Sequence, residues 1–195
     1  MIKRLFNKSD KYKVFWDWFL HVSDDFFDLN EENYELLFKR LTKQLSRVNK
    51  DLTYEFSAEL VDGKREFIIS ADGIYSAFSD VINLAEAAPD IENFKIIAFR
   101  QRGEDFKIQF NEVELDPLNV SFSYEIQDNL IHLVLYMKDY DPNNEDWEGA
   151  AFILLDTIIG EYDTVTKIGE IEFSTFQEST LSRPIKELPD LVDSI

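Results

Sequence analysis

Cysteine is absent from the 195 residues, and histidine occurs twice. The first absence excludes thiol nucleophiles, disulfides, iron–sulfur clusters and cysteine zinc sites together. The second excludes a three-histidine metal centre. Nor does any apolar run approach the roughly 20 residues that a membrane-spanning helix needs. The longest candidate, residues 150–159, is interrupted by Asp156. No apolar stretch follows the basic opening Met1-Ile2-Lys3-Arg4, so the expectation is a cytoplasmic protein without a targeting segment. Gly-x-Ser-x-Gly, a glycine-rich phosphate loop and His-Glu-x-x-His are missing as well, which leaves no catalytic residue and no cofactor to nominate.

Basic residues are scarce, and unevenly so. The formal net charge is −19. Residues 1–50 hold ten Lys and Arg against eight Asp and Glu, whereas residues 51–195 hold ten against 31. Between Ile108 and Thr166 the sole base is Lys138, facing thirteen acids. Such a body repels phosphate backbones and anionic lipid surfaces, so neither nucleic acid nor membrane is an expected partner. What remains is a solvated surface that maintains solubility, or an acidic patch for a basic protein partner or divalent cations.

Against these absences stand 45% hydrophobic residues with 17 Phe, 8 Tyr and 3 Trp, ample for a packed core. Two helices are predicted within 9–50. The first is capped by Ser9 or Asp10 and carries Tyr12, Phe15, Trp16, Phe19 and Leu20 at helical spacing. The second starts at the cap Asn30 and carries Tyr34, Leu37, Phe38, Leu41, Leu45 and Val48. Alternation over Leu52–Leu60, the turn Val61-Asp62-Gly63-Lys64 and the run Glu66–Ser70 predict a hairpin. A helix containing Ile74, Phe78, Val81, Ile82 and Ala85 follows and stops at Pro89. The apolar strand at 94–100 reads as central in its sheet.

After a short strand around Phe106–Leu115 the order recurs. Val120–Ile126 and Leu130–Lys138 form a hairpin, Glu145–Ile159 a helix ended by Gly160, and Thr164–Phe176 a strand with Ile168, Ile171 and Phe173 inward. Hairpin, helix and strand thus occur twice, an order open to two readings, an internal repeat or coincidence. The expected fold is a single α+β domain over 1–176. Its seven mostly antiparallel strands form one sheet with helices layered on one face, and an irregular tail covers 177–195.

Three places invite chemistry. The loop Asp139-Tyr140-Asp141-Pro142-Asn143-Asn144-Glu145-Asp146 offers alternating oxygens in the manner of a calcium loop. Asn144 stands where such a loop needs glycine, and Ala150 where it needs glutamate, so Asn143 or Asn144 is read as a helix cap and no metal is assigned. Arg100 and Arg102 lie at a strand end, with Arg65 within reach if its strand is adjacent. They could hold an anionic ligand or pair with Glu66, Glu104 or Asp105. In Phe15-Trp16-Asp17-Trp18-Phe19 a single buried stripe uses Phe15, Trp16 and Phe19 and leaves Trp18 either beneath another segment or in solvent as an interface anchor. Trp16 and Trp18 are the candidate interface residues. His21 and His132 read as ordinary helix and strand residues.

Residues 15–19, Leu52-Thr53-Tyr54-Glu55-Phe56, the run from Arg65 to Gly73, Lys95–Arg100, Gly149-Ala150-Ala151-Phe152 and Gly160-Glu161-Tyr162-Asp163 resemble a family of small uncharacterised bacterial proteins. The likeness spans about residues 10–175. It implies a bacterial cytoplasmic protein and carries no activity, cofactor or catalytic residue. Two functions are therefore expected. One is a non-enzymatic interaction or regulatory module with an acidic surface for a protein partner. The other is a small anionic-ligand-binding protein or enzyme with its site near Arg65, Arg100 and Arg102.

Overall fold

The structure is a computed structural model that describes residues 10–29, 31–103, 107–176 and 181–195. Ser9, Asn30, Glu104, Asp105 and Phe106, named above as caps, ion-pair partners or a strand start, lie outside the described residues. The fold class is α+β, and four of the six strand pairings are antiparallel. The chain divides into two compact units, Met1–Phe99 and Arg100–Ile195, where one domain over 1–176 is expected.

The first unit opens with helix α1 (Lys11–Leu20), for which the Asp10 carboxylate caps the Tyr12 amide. Helix α2 (Ser23–Asp28) and helix α3 (Tyr34–Val48) follow. Of the stripe its spacing predicts, helix α3 buries Leu37, Leu41, Leu45 and Val48, whereas Tyr34 and Phe38 are half-buried. Strands β1 (Thr53–Phe56) and β2 (Arg65–Ser70) pair antiparallel. Asp62 and Gly63 both adopt positive φ in the connecting turn, as an Asp-Gly hairpin requires. Helix α4 (Phe78–Glu86) then returns the chain so that β3 (Phe94–Ala98) lies parallel to β2. In this sheet of order β1-β2-β3 the strand expected to be central is therefore an outer one. Its high apolar content reflects contact with helices: α4 lies on it, and the Phe94 ring meets Phe19 and Phe27.

The second unit begins with a two-stranded ribbon, β4 (Ile108–Phe110) and β5 (Val113–Leu115), where one short strand is expected. Asn111, with φ +50, makes the reversal between them. Strands β6 (Val120–Gln127) and β7 (Leu130–Met137) form the predicted hairpin around Asp128 and Asn129, both at positive φ. Helix α5 (Asp146–Ile159) ends at Gly160, whose φ of +83 suits glycine. Helix α6 (Glu161–Lys167) follows, and β8 (Ile168–Thr175) returns parallel to β7. The nine strands thus make three sheets among the described residues, which corrects the single sheet expected. One break falls at Phe99, where a φ of +64 ends the extended backbone after β3.

The end of the chain differs from the irregular tail expected. Arg183–Pro184 pairs with β6 as β9, and helix α7 (Leu188–Val192) follows. Ile185, Leu188, Leu191 and Val192 are buried in the apolar core of this unit with Leu154, Leu155 and Ile158 of α5. Pro189 sits in the first turn of α7, where no amide hydrogen is needed, so it is compatible with the helix.

Candidate functional site

Burial alternates strictly along β7. Ile131, Leu133, Leu135 and Met137 enter the core, and His132, Val134 and Tyr136 face the other way. Register extends that second face sideways. Glu125 of β6 lies opposite His132, Ser123 opposite Val134, and Glu172 of β8 opposite Val134 on the other side. Between Ile131 and Leu133 the register with β8 shifts, so the His132 ring lies over Gly169. A Cβ at Gly169 would stand 2.9 Å from the His132 Cε1, so the glycine gives the ring its seat. The Glu170 amide donates to His132 Nδ1 at 3.2 Å, which fixes that nitrogen as acceptor. The Ser123 and Tyr136 hydroxyls meet at 3.1 Å.

The result is a shallow concavity of about 490 Å³, lined in part by Ser123, Glu125, His132, Val134, Glu170 and Glu172. Glu125, Glu170 and Glu172 are exposed, whereas His132 and Val134 are half-buried. Among the described residues the ion pairs of this unit engage Glu114, Asp116, Asp156, Asp163, Glu187 and Asp193, but none of those three glutamates. A floor of apolar and aromatic groups with an anionic rim can receive a segment carrying Lys or Arg. The whole unit carries seven Lys and Arg against 21 Asp and Glu, a net −14, so its wider field attracts the same charge.

The arginines nominated from the sequence have other occupations. Arg102 donates from Nε to the Ile159 carbonyl at 3.1 Å and with both terminal nitrogens to Asp193, at 2.9 and 2.7 Å. A further bond of 2.9 Å reaches Asp163. The Asp193 carboxylate, Asp163 behind it, raises the Arg102 pKa further above its ordinary value. Arg100 lies 3.9 Å from Asp156, and its backbone exchanges hydrogen bonds with the side chain and amide of the fully buried Glu161. Both arginines border one small cleft of about 350 Å³. Arg65 lies in the first unit and borders a different cleft.

Trp16 is an interior residue, which corrects its nomination as a surface anchor. It is 2% exposed, its indole donates to the Leu84 carbonyl at 2.7 Å, and its ring meets Phe15, Phe19 and Phe67. Trp18 is half-buried against Phe15, Phe19 and Phe26. In the acidic loop the Asp141 carboxylate accepts from the backbone and side-chain nitrogens of Asn143, which holds its pKa below the ordinary range. Asn144 accepts from the Asp146 amide in an Asx turn that leads into α5, whose N-cap position is Glu145 where Asn143 or Asn144 is expected. His21 Nδ1 meets the Asp17 carbonyl one helical turn back.

Glu125, Glu170 and Glu172 were not singled out from the sequence. Their signal is the two-residue spacing on β8 together with alternation on β6, and it becomes a site only through cross-strand register. No protein-family model, curated protein or solved structure matches the chain.

Proposed function

We propose that the protein is a non-enzymatic interaction module whose second unit docks a basic segment of a protein partner on the outer face of β6, β7 and β8. The supporting observation is the set of three exposed glutamates, free of ion pairs with described Lys or Arg, around half-buried His132 and Val134. Val134 and the His132 ring supply contact area, and the rim carboxylates supply steering and orientation. The reading as a site for small anions at Arg100 and Arg102 is weakened by the bonds Arg102 already makes to Asp163 and Asp193.

The test is fluorescence anisotropy with a labelled peptide of alternating lysine and valine at low and moderate salt. Saturable binding that weakens as salt rises is expected. The combined variant Glu125→Gln, Glu170→Gln, Glu172→Gln should bind at least about tenfold more weakly at low salt, since three charge contacts are removed. Equal binding by that variant overturns the assignment of this face.

A further inference from the structure

The first unit holds a larger cleft, of about 830 Å³, within the range usual for small-molecule sites. One wall comes from α3 and the other from β1. The rings of Tyr34, Phe38, Tyr54 and Phe56 line it in sequence, with centroid separations of 5.2, 6.0 and 5.9 Å. All four are half-buried, so each keeps an open surface. The Tyr54 hydroxyl is held by the Phe38 carbonyl at 3.2 Å, which fixes its ring across the floor.

At one end of the cleft stands Arg65, 9% exposed. Its Nε donates to the Phe27 carbonyl at 2.9 Å, and one terminal nitrogen donates to the Ser57 and Ala58 carbonyls. Among the described residues no carboxylate lies within ion-pair distance of it, and its second terminal nitrogen has no partner. Carbonyl dipoles satisfy hydrogen bonds but do not neutralise a buried cation. Asp28, exposed and next in sequence to Phe27, borders the same end of the cleft. Glu55, also exposed, is a second carboxylate of the lining, so one buried cation, two carboxylates and a row of aromatic rings border the cleft.

We propose that this cleft binds a zwitterion with an aromatic body, of the kind an aromatic α-amino acid presents. The carboxylate sits on the free nitrogen of Arg65, the ammonium on Asp28, and the ring against the open surfaces of Phe38 and Tyr54, which already meet each other. The pairing of opposite charges explains why the cleft carries both signs. A dianion such as a phosphate monoester would meet Asp28 with the wrong charge. The inference rests on the first unit alone and is independent of the acidic strand face.

The test is calorimetric titration of the full chain with L-phenylalanine, phenylacetate, phenethylamine, L-alanine and phenyl phosphate. Phenylalanine should bind at one site. Phenylacetate and phenethylamine, each lacking one charge, should bind about tenfold more weakly or worse, and alanine and phenyl phosphate should give no saturable heat. Thr42→Trp, at an exposed helix position bordering the cleft beside Tyr54, places a large ring over the Phe38 and Tyr54 surfaces and should weaken binding at least about tenfold. Asp28→Asn should weaken phenylalanine about tenfold and leave phenylacetate unchanged. Arg65→Lys should weaken both acids, and if it fails to fold, the Thr42 and Asp28 variants still decide. No saturable binding of phenylalanine, equal binding of phenethylamine, or unchanged binding by Thr42→Trp overturns the proposal.

Discussion

The two units run through the same strand order with different fillings. In each, a hairpin closed by two positive-φ residues is followed by a helical crossover, and the third strand lies parallel to the second. In the first unit Phe67 of β2 touches the rings of Phe15, Trp16, Phe19 and Phe56. In the second, the buried set is Leu, Ile, Val, Ala and Met, with Phe122 its one buried aromatic among the described residues. The covering elements also come from opposite ends of the chain, α1 to α3 before the first hairpin and α7 after the second strand set. The order is thus compatible with either core, because turn geometry and alternation define it and the filling adapts. Rings meet edge-to-face or stacked at particular separations, whereas aliphatic chains repack with smaller loss.

That contrast can be broken most sharply at the centres of the two cores. Phe67→Ala should cost about 3–5 kcal/mol and Leu155→Ala about 2–5 kcal/mol, both being fully buried. The informative pair is milder. Phe67→Leu removes four ring contacts and should cost more than Leu155→Met, which preserves volume and should stay below about 1.5 kcal/mol. Urea denaturation followed by near-ultraviolet circular dichroism measures both. Equal costs would show that ring geometry adds nothing beyond area.

A smaller effect concerns the polar ties, which have opposite signs in the two units. In the first, the anion Asp80 of α4 accepts from Lys11, Tyr12 and Asn49, and so joins α1, the end of α3 and α4. In the second, the cation Arg102 joins the end of α5, α6 and Asp193. Burial pushes the Asp80 carboxyl up, but its three donors outweigh that and hold it below the ordinary range. A carboxyl lowered on folding contributes stability that is complete above its unfolded pKa, near about 4, and is lost as pH falls toward the folded value. Asp80→Asn should therefore cost about 1–3 kcal/mol at neutral pH, and the difference from the parent should shrink below about pH 4. Thermal melts across that range provide the check. A constant difference would mean that shape rather than charge holds the tie.

Much of this architecture is legible in the sequence, and the exceptions have particular causes. The stripe Leu37, Leu41, Leu45 and Val48 and the two turns at Asp62 and Asp128 follow from local spacing and local backbone preference. Helix α6 was hidden in a predicted strand because Thr164, Val165 and Thr166 favour extended backbone. In the helix, Thr164 donates to the Gly160 carbonyl and Thr166 to the Tyr162 carbonyl, one turn back in each case. The partners of Arg102 were missed because Asp163 and Asp193 lie 61 and 91 positions away, whereas the sequence suggests the adjacent Glu104 and Asp105. The acidic face was missed for a similar reason. Net charge reveals that acids abound, and register alone reveals which three share a surface.

The smallest difference between the units lies in two surface ion pairs of equal sequence spacing. Lys13 and Asp17 lie one turn apart on α1, both more than half exposed. The base precedes the acid, the less favourable order along a helix, and both ends are free to exchange water for one another. Lys13→Ala should therefore change stability by less than about 0.5 kcal/mol. Arg183 and Glu187 have the same spacing at 2.9 Å, but Arg183 also lies over the rings of Phe122 and Tyr124, at 5.9 and 6.0 Å. Its guanidinium thus covers the strand that β9 joins, and its removal uncovers apolar surface as well as a charge. Arg183→Ala should lower the urea midpoint by more than Lys13→Ala, and Glu187→Ala should have a smaller effect than either arginine contact implies. High salt separates the two contributions, because it screens the ion pair and leaves the ring contact largely intact. If the loss in Arg183→Ala disappears in salt, the pair is the whole effect and the rings are bystanders.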